Sequence, residues 1–200
     1  MKILIDNGHG EDTPGKRSPD GVLREYKYTR EIAECVMRDL RSRGYNVERI
    51  VTEQNDVPLT ERVRRANAHC AAMGASNVVL VSIHCNAAGL GNEWVYARGW
   101  CAYTSRGTTK SDDLANMLYA EAGRNFAGRT LRKDLSDGDP DWEAGFYILK
   151  NTKCPAVLTE NFFMDNKADL SYLLSAEGRE QIIKTHVNAI IAYVKKYGKI

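Results

Sequence analysis

"NVVLVSIHCNAAG", residues 77–89, decides how the chain is read. Val78 to Ile83 is almost wholly apolar, the composition of a strand covered on both faces. His84, Cys85 and Asn86 arrive where that run stops. Side chains alternate along a strand, so Ser82, His84 and Asn86 share one face while Ile83 and Cys85 point to the other. The thiol is therefore read as packing, and the imidazole as the group that faces a site.

Outward from this strand, the chain alternates between short apolar runs and helical periodicities. Strands are expected at Lys2–Asn7, Asn46–Val51, Val78–Ile83, Trp100–Tyr103, Phe146–Leu149 and Ala156–Phe162. A helix is expected from Arg24 to Arg43, where Ile32, Val36 and Leu40 recur every four residues and Gly44 is the left-handed stop. A second covers Leu59 to Ala72, with Leu59, Val63 and Ala66 on one face. A third follows Ser111 as N-cap, through Leu114, Leu118 and Ala122. The last starts near Ser175 and carries Ile182, Ile183, Ile190 and Val194. Gly and Pro cluster at residues 8–21 and 138–145, which read as loops. The pattern gives an α/β fold, one domain over residues 1–200, with a largely parallel mixed sheet and helices on both faces.

Composition excludes several partners. The 28 Lys and Arg against 26 Asp and Glu leave a net charge of +2, too little to argue for nucleic acid. No apolar run approaches the roughly 20 residues of a membrane span. "MKILIDNGHG" holds only a short apolar run before Asp6, so a first strand is expected there rather than a signal peptide. The 5 cysteines include no CxxC pair, and are read as free thiols of a protein folded in a reducing compartment.

Three of the expected strands end in chemistry. The first ends "IDNGHG" and presents His9, the third presents His84, and the last ends "VLTENFF" and presents Glu160. In open parallel sheets, sites form beyond the carboxyl ends of the strands, so these three residues share an edge. Glu25 opens the first helix, where a carboxylate is favoured by the helix dipole whatever else it does. The glycine-rich stretch from His9 to Glu25 is free to fold that helix start back over the strand ends. His9, Glu25 and His84 then form a His₂Glu set, and three protein ligands with an open fourth position is the catalytic zinc pattern.

Two other patterns fail on their chemistry. "GEDTPGK", residues 10–16, has phosphate-loop spacing, but Arg17 stands where Ser or Thr should hold magnesium, and Pro14 lacks an N–H. "DGDPDW", residues 137–142, alternates acids like a calcium loop, but Trp142 stands where the sharp turn needs Gly. That acidic cluster is read as a solvated loop. His69 and His186 lie in mid-helix and are read as ordinary, and Arg62 and Asn67 as structural.

The ordered set "IDNGHG", "DGVLREYKYTREIA", "PLTERVRRANA", "LVSIHCNA" and "AVLTENFFMDNKAD" resembles the zinc-dependent N-acetylmuramoyl-L-alanine amidases, from residue 1 to about 197. The "EYKY" and "TENFFMDNKAD" segments are similar to phage endolysin catalytic domains. The resemblance implies a zinc-carboxypeptidase-like amidase fold. It implies one zinc on His9, Glu25 and His84, and Glu160 as the catalytic acid/base. Peptidoglycan is then the partner of a monomer that acts on the cell wall after release from the cytoplasm. Asn86 becomes a candidate substrate contact. Asn7 stands where the family usually has Pro, and residues 93–107, "EWVYARGWCAYTSRG", replace a short strand and are expected to reshape the groove. Two alternatives stay open. One is a carboxypeptidase of the same general fold, which would need an Arg for a terminal carboxylate. The other is a non-catalytic wall- or zinc-binding module, which would have no use for Glu160.

Overall fold

The apolar runs at residues 2–7, 78–86 and 156–163 pair as adjacent parallel strands because each is covered on both faces. The computed structural model describes residues 1–198. Its elements are β1 (Lys2–Asn7), α1 (Glu25–Ser42), β2 (Val47–Arg49), α2 (Leu59–Met73), β3 (Val78–Asn86), β4 (Cys101–Thr104), α3 (Lys110–Asn125), β5 (Trp142–Glu143), α4 (Tyr147–Asn151), β6 (Ala156–Phe163), α5 (Lys167–Leu174) and α6 (Ala176–Tyr197). They form a single α/β domain around one sheet of order β2-β1-β3-β6-β4-β5. β4 runs antiparallel to β6, and the other pairs are parallel.

Strand parity sorts the core into two halves. Ile3, Ile5, Val79, Val81, Ile83 and Cys85 pack on one face against Ile32, Val36 and Leu40 of α1, Leu114 and Leu118 of α3, and Ile182 and Ile190 of α6. Leu4, Val78, Leu80 and Leu158 face the other way, onto Val63 and Cys70 of α2 and Ile148 and Leu149 of α4. Each such fully buried aliphatic side chain contributes about 1.5–3 kcal/mol relative to exposure.

Several boundaries differ from expectation for local reasons. Phe146–Leu149 is not a strand: Tyr147–Asn151 is helical, with Ile148 and Leu149 turned inward. Four apolar residues carry too little periodicity to tell strand from helix. The N-cap of α3 is Thr109, whose side chain accepts from Ser111 N while Asp112 returns a bond to Thr109 N. Leu59 is 50% exposed rather than core. α5 was not foreseen; it fits between the caps Asn166 and Ser175.

β6 gains one residue on β3 just past the pair His84↔Glu160, since Asn86 pairs with Phe163. Phe162 takes φ 62° there, and the bulge drives its ring into the core against Phe126 and Tyr172. The sheet's regular register therefore ends at His84 and Glu160.

Candidate active site

His84 and Glu160 stand on neighbouring parallel strands as direct partners, on the sheet face opposite Cys85. His9 reaches them from the end of β1 by a backbone device. Its φ is 59°, the left-handed region that L-residues enter at a cost, and one often found where a site requires it. Guanidinium groups hold the turn, with Arg30 Nη1 donating to His9 O at 2.9 Å. Gly8 is required by the close approach of β1 to β3: a Cβ on it would stand 2.4 Å from His84 Nδ1. The two imidazoles meet edge to face, with centroids 5.1 Å apart.

Glu25 completes the group from the first turn of α1. Lys16 O accepts from Glu25 N at 3.0 Å and so folds the loop and the helix start back over the strand ends. Glu25 is 1% exposed; its Oε1 accepts from Cys85 N at 3.0 Å and lies 3.2 Å from His84 Nδ1, and its Oε2 lies 3.5 Å from His9 Nε2. The ligating atoms of His9, Glu25 and His84 all fall within 4.8 Å of one another.

Burial opposes ionisation of Glu25, yet the His84 hydrogen bond and the neighbouring imidazoles bring its carboxyl below the usual carboxylate value. Burial lowers His9 to about 4 against the pull of Glu25, so this imidazole is neutral at pH 7 and has a lone pair to give. Burial raises Glu160 to about 7, with His84 opposing. Buried, without hydrogen-bond partners, are Glu25 Oε2 and Glu160 Oε2. An orphaned carboxylate oxygen between two imidazoles fits a metal: nitrogen and oxygen donors in a three-residue set suit zinc.

His9, His84 and Glu160 line one cavity of about 590 Å³, together with Asp6, Thr13, Asp56 and Arg62, and Glu25 lies buried behind the two imidazoles. Its other walls, unforeseen in the sequence, are Val57 to Leu59 and Phe146 to Ile148. Residues 93–107 do not reshape this cavity; Trp94 and Tyr96 line a separate surface hollow with Asn166 and Lys167. Asn86 also falls away from it, because its Oδ1 accepts from Ala87 N. Asn161 sits beneath the site, donating from Nδ2 to His84 O at 2.9 Å and accepting from Trp100 Nε1 at 3.0 Å. His186 stays outside: Nδ1 donates to Ile182 O, Nε2 accepts from Thr159, and burial lowers its pKa to about 4.

Arg62 borders the cavity but all its nitrogens are committed. Nε donates to Val57 O, Nη1 to Asp6 Oδ1 and Asn7 O, and Nη2 to Asp56 Oδ1, each at 2.7–2.8 Å. Arg62 and Asp6 are 2% and 1% exposed. Arg62→Met should therefore cost about 3–5 kcal/mol, because it strands a buried carboxylate. Chemical denaturation checks this, and a loss under about 1 kcal/mol would show that Asp6 finds another partner. Asn67 is likewise structural, bonding Asn151 O and Lys153 N.

Residues 3–192 match the family model described as N-acetylmuramoyl-L-alanine amidase. The N-acetylmuramoyl-L-alanine amidase CwlM of Bacillus licheniformis is 31% identical over 193 residues, which are 95% of this chain and 67% of that protein. The endolysin of Bacillus phage SPP1 is 28% identical over 94% of this chain and 64% of its own length. The chain thus spans about two thirds of each. The catalytic domain of CwlV, an N-acetylmuramoyl-L-alanine amidase from Bacillus (Paenibacillus) polymyxa var. colistinus, superposes with TM-score 0.81 at 23% identity, covering 98% of both chains. That likeness shows the fold.

Proposed function

The chain belongs to the N-acetylmuramoyl-L-alanine amidase family, and from that premise we infer the chemistry and the residues that perform it. It hydrolyses the amide between N-acetylmuramic acid and L-alanine in peptidoglycan, with one zinc held by His9, Glu25 and His84. The observation that carries this reading is the convergence of that His₂Glu set, whose two imidazoles line one cavity, with Glu160 beside them on the neighbouring strand. Zinc in such a set supplies Lewis acidity, which makes hydroxide available near neutral pH.

The protein's own groups do the rest. Glu160 Oε2, buried and without a partner, takes the proton of the attacking water. The same oxygen then returns that proton to the departing alanine nitrogen, which would otherwise be a very poor leaving group. Glu25 is fixed by Cys85 N, and His84 by the Asn161 bond to its carbonyl, so the set is held before substrate arrives. The apolar wall from Phe146 to Ile148 shields one side of the reacting amide from water.

Arg62 speaks against the carboxypeptidase alternative: it is the arginine lining the cavity, and its donors are already taken. None of the helices among the described residues is long and apolar enough to cross a membrane. We read the protein as a monomer that acts on the cell wall after release from the cell. Mass spectrometry of products from purified peptidoglycan tests the reaction. Intact stem peptides with a free L-alanine amine are expected, and loss of single terminal residues would establish a carboxypeptidase instead.

A further inference from the structure

Away from the His₂Glu set, a second group of acids gathers around the start of α3. Asp112 comes from that helix and Asp139 and Asp141 from the loop before β5, and each offers a carboxylate oxygen within 4.8 Å of the others. The reading of residues 137–142 as a solvated loop holds for Asp137 and Gly138, which are exposed, but not for Asp141, which is 1% exposed beside Asp112 at 6%. The Thr104 hydroxyl donates to Asp141 Oδ2 at 2.6 Å, which leaves Asp141 Oδ1 buried with no hydrogen-bond partner. Asp139 Oδ1 is buried and unpartnered as well. None of the ion pairs among the described residues includes any of the three.

Three carboxylates gathered in a half-buried place without an ion-pair partner repel one another. The start of α3 holds one oxygen of Asp112 through Thr109 N, and the remaining repulsion is relieved by a proton shared between Asp139 and Asp141 or by a cation. Burial, with Asp139 and Asp112 beside it, pushes the Asp141 carboxyl up to about 7, which reflects that strain. We propose that Asp112, Asp139 and Asp141 bind calcium, at a site independent of the His₂Glu set.

The donor chemistry selects the ion. Oxygen ligands alone, without imidazole or thiolate, suit hard cations rather than zinc. Magnesium keeps most of its water and takes one or two carboxylates, whereas calcium accepts 6–8 oxygens in flexible geometry, and three converging carboxylates serve it better. The spacing is not that of a calcium loop, since Asp112 lies far from the other two in sequence and only the fold joins them.

The position gives the site a use. Asp141 directly precedes β5, whose Trp142 pairs with Tyr103 of β4, and Phe146 to Ile148 then form the apolar wall of the cavity. A cation there pins this wall to α3. Calcium thus stabilises the groove without touching the reacting atoms.

Zinc-loaded protein, stripped of other metals and checked for zinc content, should bind calcium with a dissociation constant of about 10⁻⁴ M by calorimetry, as extracellular calcium modules do. Ten millimolar calcium should raise the melting temperature by roughly 5 °C or more, and magnesium at the same concentration by less. Asp141→Asn keeps its size and can still accept from Thr104, while Asp139→Asn changes a less buried position and serves where the first fails to fold. Either variant should weaken calcium at least tenfold and keep its zinc. Absence of calcium binding, a response to magnesium alone, or unchanged affinity in the variants would each overturn the proposal.

Discussion

Glu160→Gln should lower turnover of a soluble muropeptide by roughly 10³-fold or more while the protein keeps its fold and its zinc. Size and polarity are preserved by the amide. Glu160 Oε2 makes no hydrogen bond in the protein, so nothing built around that atom is lost. What disappears is a group able to accept a proton and return it. General acid–base catalysis contributes roughly 10²–10⁴-fold, and in the proposed mechanism one carboxyl serves both transfers. The expected loss corresponds to about 4 kcal/mol of transition-state stabilisation. Turnover, zinc content and binding to purified walls are measured together. A variant within a few-fold of the parent would remove Glu160 from the proton transfers. A variant without zinc would make it a ligand and reopen the role of Glu25.

His84→Ala should abolish activity by a different route, taking the metal with it. In the proposed set the imidazole is one of three donors, and its removal leaves Glu25 Oε1, 3.2 Å from its Nδ1, with Cys85 N as its remaining partner. Two remaining donors do not make a catalytic zinc set. Zinc after dialysis should fall from about one per chain to near none, with turnover at background. The fold should survive, because the His84 side chain faces the cavity rather than the core and its backbone pairing does not depend on the ring. Full zinc occupancy in a folded variant would contradict the ligand assignment.

Much of this was legible because long, two-sided burial writes itself into composition. The β1, β3 and β6 runs were apolar enough to be read as neighbours, and parallel pairing then forced their ends to one edge, with His9, His84 and Glu160. The parity that turns Cys85 into the core and His84 toward the cavity follows from the same strand geometry. Glu25 was legible through its place at a helix start after a glycine-rich loop. Short elements were not. Residues 146–149 are as apolar as a strand, yet Ile148 and Leu149 pack against α2 from a short helix. The cavity's apolar wall shared that fate, because it is built on the same residues. The acids at 139 and 141 stand in the sequence as an alternating run, but the missing turn glycine speaks against a calcium loop, and their partner Asp112 lies far off in sequence and comes against them only in the fold.

Everything proposed for catalysis depends on which atoms hold the metal, and Cys85 beside His84 offers a sharp contrast. Its backbone N–H binds Glu25, its side chain lies with Ile83 in the core, and burial pushes its thiol well above its usual pKa, away from the thiolate a metal needs. X-ray absorption at the zinc edge of the purified protein reads the donors directly. Nitrogen and oxygen scatterers at about 2.0–2.2 Å, with the multiple scattering of two imidazoles, are the expected result. Sulfur at about 2.3 Å would place a cysteine on the metal and contradict the His9, Glu25 and His84 set.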